Sequence, residues 1–167
     1  MPPQRHRILE GRGKNAIAEL FSKKLIVPKI FFDANWPNRA TKIDVLAVDR
    51  SGAGDVHLVE VLTTASRLPA AIRTLSMIPG QFKYVAYFSL SDEEEEIFSP
   101  EGTPDERLYA PDGVGRIGTI CLFQGEPAEA MLAEVIVEPE RFRVPHKFNQ
   151  EIDRYLEKHV PDVALRV

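Results

Sequence analysis

Two carboxylates stand inside apolar segments of this chain: Asp44 in KIDVLAVDR and Glu60 in VHLVEVLTT. Both segments are rich in β-branched residues and are joined by a turn of small residues, DRSGAGD, so they predict a β-hairpin. With that turn centred on Gly52, the numbers of cross-strand partners sum to about 104, so Asp49 faces Asp55 and Asp44 faces Glu60. Directly opposed residues of an antiparallel pair share a face with Cβ atoms roughly 5 Å apart. A bulge or a shifted turn would send one of them to the other face. Like charges held that close in a partly dry sheet are costly unless a cation joins them or a pKa rises. The chemistry that fits is a divalent metal site, because Mg2+ or Mn2+ takes a few carboxylate oxygens, keeps its waters and accepts a phosphate. The backbone carbonyl of Val61 is a further candidate ligand. The plain alternative is that Asp44 opens one strand at a solvent edge and Glu60 closes another, both wet and unrelated.

The elements around the hairpin have to hold it. Gly13 precedes KNAIAELFSKKLIV, where Ile17, Leu20, Phe21 and Leu25 recur at helical spacing and Pro28 marks an end. KIFFDA lies between this helix and the hairpin. After it, RLPAAIRTLSMIPG predicts a second helix with Leu68, Ala71, Ile72, Leu75 and Ile78 on one face, Ser66 as N-cap and Pro79-Gly80 as a stop. KYVAYFSL reads as a strand buried on both sides. RIGTICLF and AEVIVE are further strands, and HKFNQEIDRYLEKHV is a closing helix with Phe148, Ile152, Tyr155 and Leu156 at helical spacing. This order predicts an α/β fold, a mixed sheet flanked by helices. The whole chain, 1–167, is expected to form one domain, with an acidic insertion at about 91–115 and a C-terminal helix at about 146–160.

The order of a helix, ID on one strand, a hairpin, VEV on the next strand, then a helix and an apolar strand resembles the PD-(D/E)XK nuclease superfamily. That family includes restriction-type endonucleases and Holliday-junction-resolvase-like proteins. The resemblance covers roughly residues 12 to 90 as a topology. It implies a restriction-endonuclease-like αβββαβ core over about 12–125, with extra C-terminal strands and a helix. It also implies that Asp44 and Glu60 are the metal-binding carboxylates. The family's lysine falls at Leu62, which alternation places on the same strand face as Glu60. Such a lysine orients or activates the attacking water and stabilises charge on the phosphate, and leucine does neither. Lys14 or Lys42, reaching in on a long stem from another backbone position, is the candidate replacement; solvent exposure is the ordinary alternative for both. Many family members carry a metal-facing Glu near the start of the first helix, and here Glu10 and Glu19 are the candidates.

The net charge of −4 argues against a general nucleic-acid coat, but the charge is unevenly spread. Residues 1–50 hold ten Lys and Arg against five Asp and Glu, and the remainder holds eleven against twenty. Arg12, Lys14, Arg39 and Lys42 in this basic part are candidates for following a phosphate backbone, with an ordinary solvated helix face as the alternative. Trp36 lies close to Arg39 and Lys42, a surface for stacking a base or simply a loop aromatic against the core. DEEEE at 92–96 reads as a solvated helix start behind Ser91, with cation binding or mimicry of nucleic acid towards a basic partner as the alternative. The four histidines share no zinc spacing, and Cys121, the lone cysteine, reads as a small buried hydrophobe. No apolar run approaches the ~20 residues of a membrane span, and no apolar signal core follows the basic start. A cytoplasmic protein without a membrane partner is therefore expected.

Three functions fit these residues. The first is a nuclease-fold protein with an incomplete metal-dependent phosphodiesterase site that binds nucleic acid or a partner protein, with weak or no cleavage. The second is an active Mg2+ or Mn2+ dependent nuclease using a relocated lysine. The third is a structural or regulatory subunit that docks through the acidic insertion or the C-terminal helix.

Overall fold

The computed structural model describes residues 3–35, 41–51, 54–89, 116–126 and 130–162. Trp36, Arg39 and the acidic insertion at 91–115 lie outside the described residues. The strands β1 (Pro28–Asn35), β2 (Lys42–Asp49), β3 (Val56–Leu62), β4 (Phe82–Ser89), β5 (Gly118–Gln124) and β6 (Met131–Val137) form one mixed sheet, in that order across it. The first three are an antiparallel meander, β4 and β5 run parallel to β3, and β6 turns back antiparallel. Helix α1 (Pro3–Lys24) covers one face, while α2 (Leu68–Met77) and α3 (His146–Lys158) cover the other. The protein is thus an α/β fold with helices on both sides of a six-stranded sheet.

Two-sided cover explains the apolar runs. On β2, Val45 and Ala47 enter the core under α1, while Leu46 and Val48 enter the core under α2 and α3. On β4 the same division separates Tyr84, Ala86 and Phe88 from Val85. Such strands have no wet face to mark by alternation.

Helix α1 starts earlier and ends earlier than its sequence signals suggest. It begins at Pro3, and its buried face reaches upstream of Gly13 to Leu9. It stops at Lys24, where the basic last turn suits the negative end of the helix dipole. Beyond it, the N–H groups of Ile26 and Val27 donate to the Asp49 carboxylate, and Pro28 already begins β1. Ser66 is not the N-cap of α2. A short 3-10 turn over Ala65–Arg67 precedes the helix, Arg67 holds the cap position without a side-chain bond, and Ser66 Oγ pairs with Thr64 Oγ1 at 3.0 Å. Pro69, at the start of α2, provides a backbone already set for the first turn.

Candidate active site

The β2–β3 ladder runs from Val48 opposite Val56 to Val45 opposite Val59, the register in which partners sum to 104. Beyond that point the two strands part. Lys42 and Ile43 stay paired with β1, while Glu60, Val61 and Leu62 stay paired with β4. Asp44 and Glu60 therefore stand at the mouth of a fork in the sheet. Asp44 closes it with its side chain: Oδ2 accepts the Val61 N–H at 2.8 Å, replacing a ladder bond.

A third acid lies across β1. Phe32 pairs with Val45 and Ala34 with Ile43, so Asp33 falls opposite Asp44. Asp33 has φ 50, the left-handed region, which costs an L-residue roughly 1–2 kcal/mol and which Asp tolerates better than most. Face alternation slips at the same place. Phe32 and Ala34, two apart, pack into opposite cores, and so do Ile43 and Val45. Both strands thus twist through the position that carries an acid.

Helix α1 completes the group. Glu10 and Lys14 are one turn apart on the same side of the helix. Lys14 Nζ lies 2.7 Å from Asp33 Oδ1 and 3.3 Å from Glu10 Oε1, and its side chain is only 12% exposed. The helix comes this close because residue 13 is glycine: a Cβ there would sit 3.0 Å from both Leu122 and Phe88. Glycine in a helix interior costs about 1 kcal/mol relative to alanine, and here it permits the close packing.

Charge at the fork is unbalanced. Glu10, Asp33 and Asp44 each offer a carboxylate oxygen, all within 4.8 Å of one another. Burial raises the pKa of Asp44, opposed by hydrogen bonds from Glu60 and from the Val61 N–H. Burial, reinforced by the charge of Asp44, pushes the Glu60 pKa far up, which favours a carboxyl group hydrogen-bonded to Asp44. Glu60 Oε1 is buried with no hydrogen-bond partner among the described residues. Lys14 is raised despite partial burial, because Asp33, Glu10 and Asp44 favour its charged form.

The three oxygens come close to the spacing of a divalent cation's shell. Oxygens around Mg2+ at 2.0–2.1 Å lie at most about 4.2 Å apart, so the three would need to draw in by about half an ångström. Glu60, beside Asp44, supplies none of the three converging oxygens.

No protein-family model matches the chain, and no curated protein matches it. Its fold has a solved counterpart. SPO1766, a protein of unknown function from Silicibacter pomeroyi, is similar with a TM-score of 0.58 at 15% identity, over 89% of this chain and 82% of that one. The likeness is one of fold.

Among the residues singled out from the sequence, Asp44, Glu60, Lys14 and Glu10 come together at the fork. Val61 meets Asp44 through its N–H. Glu19, two and a half turns beyond Glu10, falls on the far side of α1 and pairs with Lys23 at 3.4 Å. Lys42 is exposed opposite Asn35, and no ion pair joins it to the acids. Arg12 is half-buried, two residues from Lys14 and so turned to another side of the helix. Leu62 is 3% exposed and belongs to the core under α2 with Leu58 and Leu68. His57 packs between Phe82 and Phe21, with Nδ1 3.0 Å from Tyr84 Oη. The residue that sequence reasoning passed over is Asp33. Its signal was the same as that of Glu60, a carboxylate inside an apolar strand, KIFFDAN.

Proposed function

We propose that the protein is a metal-dependent phosphodiester hydrolase acting on nucleic acid, with Glu10, Asp33 and Asp44 holding Mg2+ or Mn2+, Glu60 supporting Asp44 from the neighbouring strand, and Lys14 replacing the lysine that the PD-(D/E)XK resemblance puts at position 62. The observation that carries this reading is the Lys14 ammonium lying against Asp33 and Glu10, beside Asp44. The order αβββαβ and the fork at Asp44 and Glu60 add support. A bound ion at this centre would polarise a phosphate oxygen and lower the pKa of a water. Asp44 and Glu60, anchored by the ladder on either side of the fork, orient the donor set. Lys14 stabilises negative charge developing on the phosphate, a role that needs its charge but no particular backbone position.

A second reading, binding with weak or no cleavage, is favoured by Leu62. That side chain is packed into the core, and no cation stands beside Glu60 on its own strand. The test is cleavage of single- and double-stranded DNA and RNA in Mg2+ or Mn2+ by the native protein, Glu60→Ala and Lys14→Ala. Cutting by the native protein that both variants lose supports the hydrolase. Nucleic-acid binding without cutting supports the second reading. A Leu62→Lys variant is a poor rescue, because it would put an unpaired ammonium into a closed apolar core. A docking subunit is the outcome left if neither binding nor cutting is found. In that case the polar side of α3 is the surface to probe, since Phe148, Ile152 and Tyr155 pack on the sheet.

A further inference from the structure

We propose that Lys14 is the built-in stand-in for the metal, its ammonium seated in the carboxylate cradle that a divalent ion would fill, so that ion binding expels Lys14 and frees it to meet the phosphate. This rests on the reading of the cluster as a metal centre and adds a regulation to it: the lysine is held in reserve until the ion is loaded.

Three observations carry the inference. First, the Lys14 ammonium touches two of the three converging oxygens, from elements distant in sequence, at 2.7 and 3.3 Å. Those oxygens lie within 4.8 Å of one another, scarcely wider than the shell of one small ion, so the cradle cannot hold an ion and an ammonium together. Second, Lys14 is not an ordinary helix-surface ion pair. Lys23 and Glu19 on the same helix make the same i,i+4 contact with side chains 75% and 52% exposed, whereas Lys14 is 12% exposed. Third, the single ammonium does not serve every acid at the fork: Glu60 Oε1, beside Asp44, is buried with no hydrogen-bond partner among the described residues. The four-carbon stem of lysine lets the ammonium leave while α1 stays pinned by Gly13 against Phe88 and Leu122.

The test is calorimetric titration of Mn2+ into the native protein and Lys14→Met, which keeps the stem and removes the charge, together with amine labelling of Lys14 in the native protein, read by mass spectrometry. Removing the competitor is expected to tighten Mn2+ binding about tenfold in Lys14→Met. Mn2+ is expected to raise labelling of Lys14 while leaving that of Lys23 unchanged. Equal or weaker Mn2+ binding by Lys14→Met overturns the proposal. If that variant does not fold, unchanged labelling of Lys14 in Mn2+ overturns it. Mn2+ binding with neither effect leaves the metal centre standing and removes only the stand-in role. No Mn2+ binding by the native protein removes both.

Discussion

At the turn end of the β2–β3 hairpin Asp49 and Asp55 face each other, as Asp44 and Glu60 do at the fork, and the ladder bond from Asp49 N–H to Asp55 O is 2.9 Å. The surroundings differ. The Asp49 carboxylate accepts from Ser51 Oγ at 2.7 Å, Ser51 N–H at 3.0 Å, Val27 N–H at 3.3 Å and Ile26 N–H at 3.5 Å. These donors, outweighing partial burial, hold its pKa below the usual value. Asp55 Oδ2 accepts from Arg141 Nη1 at 2.6 Å, although its Oδ1 has no partner among the described residues. At the fork, one ammonium and one backbone N–H serve several carboxylates, and the pKa values of Asp44 and Glu60 rise. An acid pair with its own donors organises a turn. An acid pair that lacks them is where we propose that a cation binds.

The largest test of that contrast uses the same substitution at each end. Asp44→Ala removes a central oxygen of the cradle and should weaken Mn2+ binding by more than the 10–100-fold typical of an outer-shell partner. Asp49→Ala should leave the affinity within error while destabilising the turn by about 1–2 kcal/mol, the usual cost of losing a carboxylate that caps backbone N–H groups. Titration calorimetry reads the first and denaturant melts the second. Equal loss of Mn2+ binding in both variants would end the distinction.

Much of this was legible beforehand, for identifiable reasons. The hairpin register follows from a short turn between two apolar strands, and a register is strongly fixed when a one-residue slip would turn every side chain around. The helices of the far face declared themselves through their periodicity, because each has a single buried side. The fork itself was not legible. Strand pairing ends at Asp44 because β2 stays with β1 and β3 with β4, which is a tertiary competition with no local sign. Asp33 was hidden for a related reason: its role depends on a left-handed backbone and a slip of alternation shared between two strands. Leu62 shows the limit of motif reasoning, since alternation places it on the same strand face as Glu60 but burial makes it a core residue.

A smaller contrast comes from replacing each acid by its amide and following stability against pH without metal. Glu60 has a raised folded pKa, so above the ordinary value of 4.5 the unfolded chain ionises while the fold holds the proton, and stability falls as pH rises. Glu60→Gln removes that loss, so the variant should be the more stable by about 1–3 kcal/mol at pH 7, with the advantage vanishing below 4.5. Asp49 has a lowered pKa and stabilises the fold above 3.8, an effect lost as pH falls through its folded value. Asp49→Asn should therefore be the less stable at pH 7, with the gap narrowing in acid. His57 sets a common background for both. Burial lowers it from 6.5 to about 4, so stability complete above 6.5 is lost as pH falls toward 4, on the order of 3 kcal/mol. Each variant is accordingly read against the native protein at the same pH. The same sign for both amides would contradict the contrast.

The smallest effect concerns Arg141. Its guanidinium and the Asp55 carboxylate are 52% and 27% exposed, so water screens the pair and offers each partner an alternative. Removing one side of such a pair costs about 0.2–1 kcal/mol, less as salt rises. Arg141 also lies 5.7 Å from the centre of the Phe82 ring, a contact that salt screens less. Arg141→Ala should thus destabilise the protein by under about 1 kcal/mol, with a remainder that survives in high salt and no change in Mn2+ affinity. A loss several times larger, or one that carries Mn2+ binding with it, would mean that the turn end and the fork are electrostatically one site. The separate donors of Asp49 and Asp55 argue that they are two.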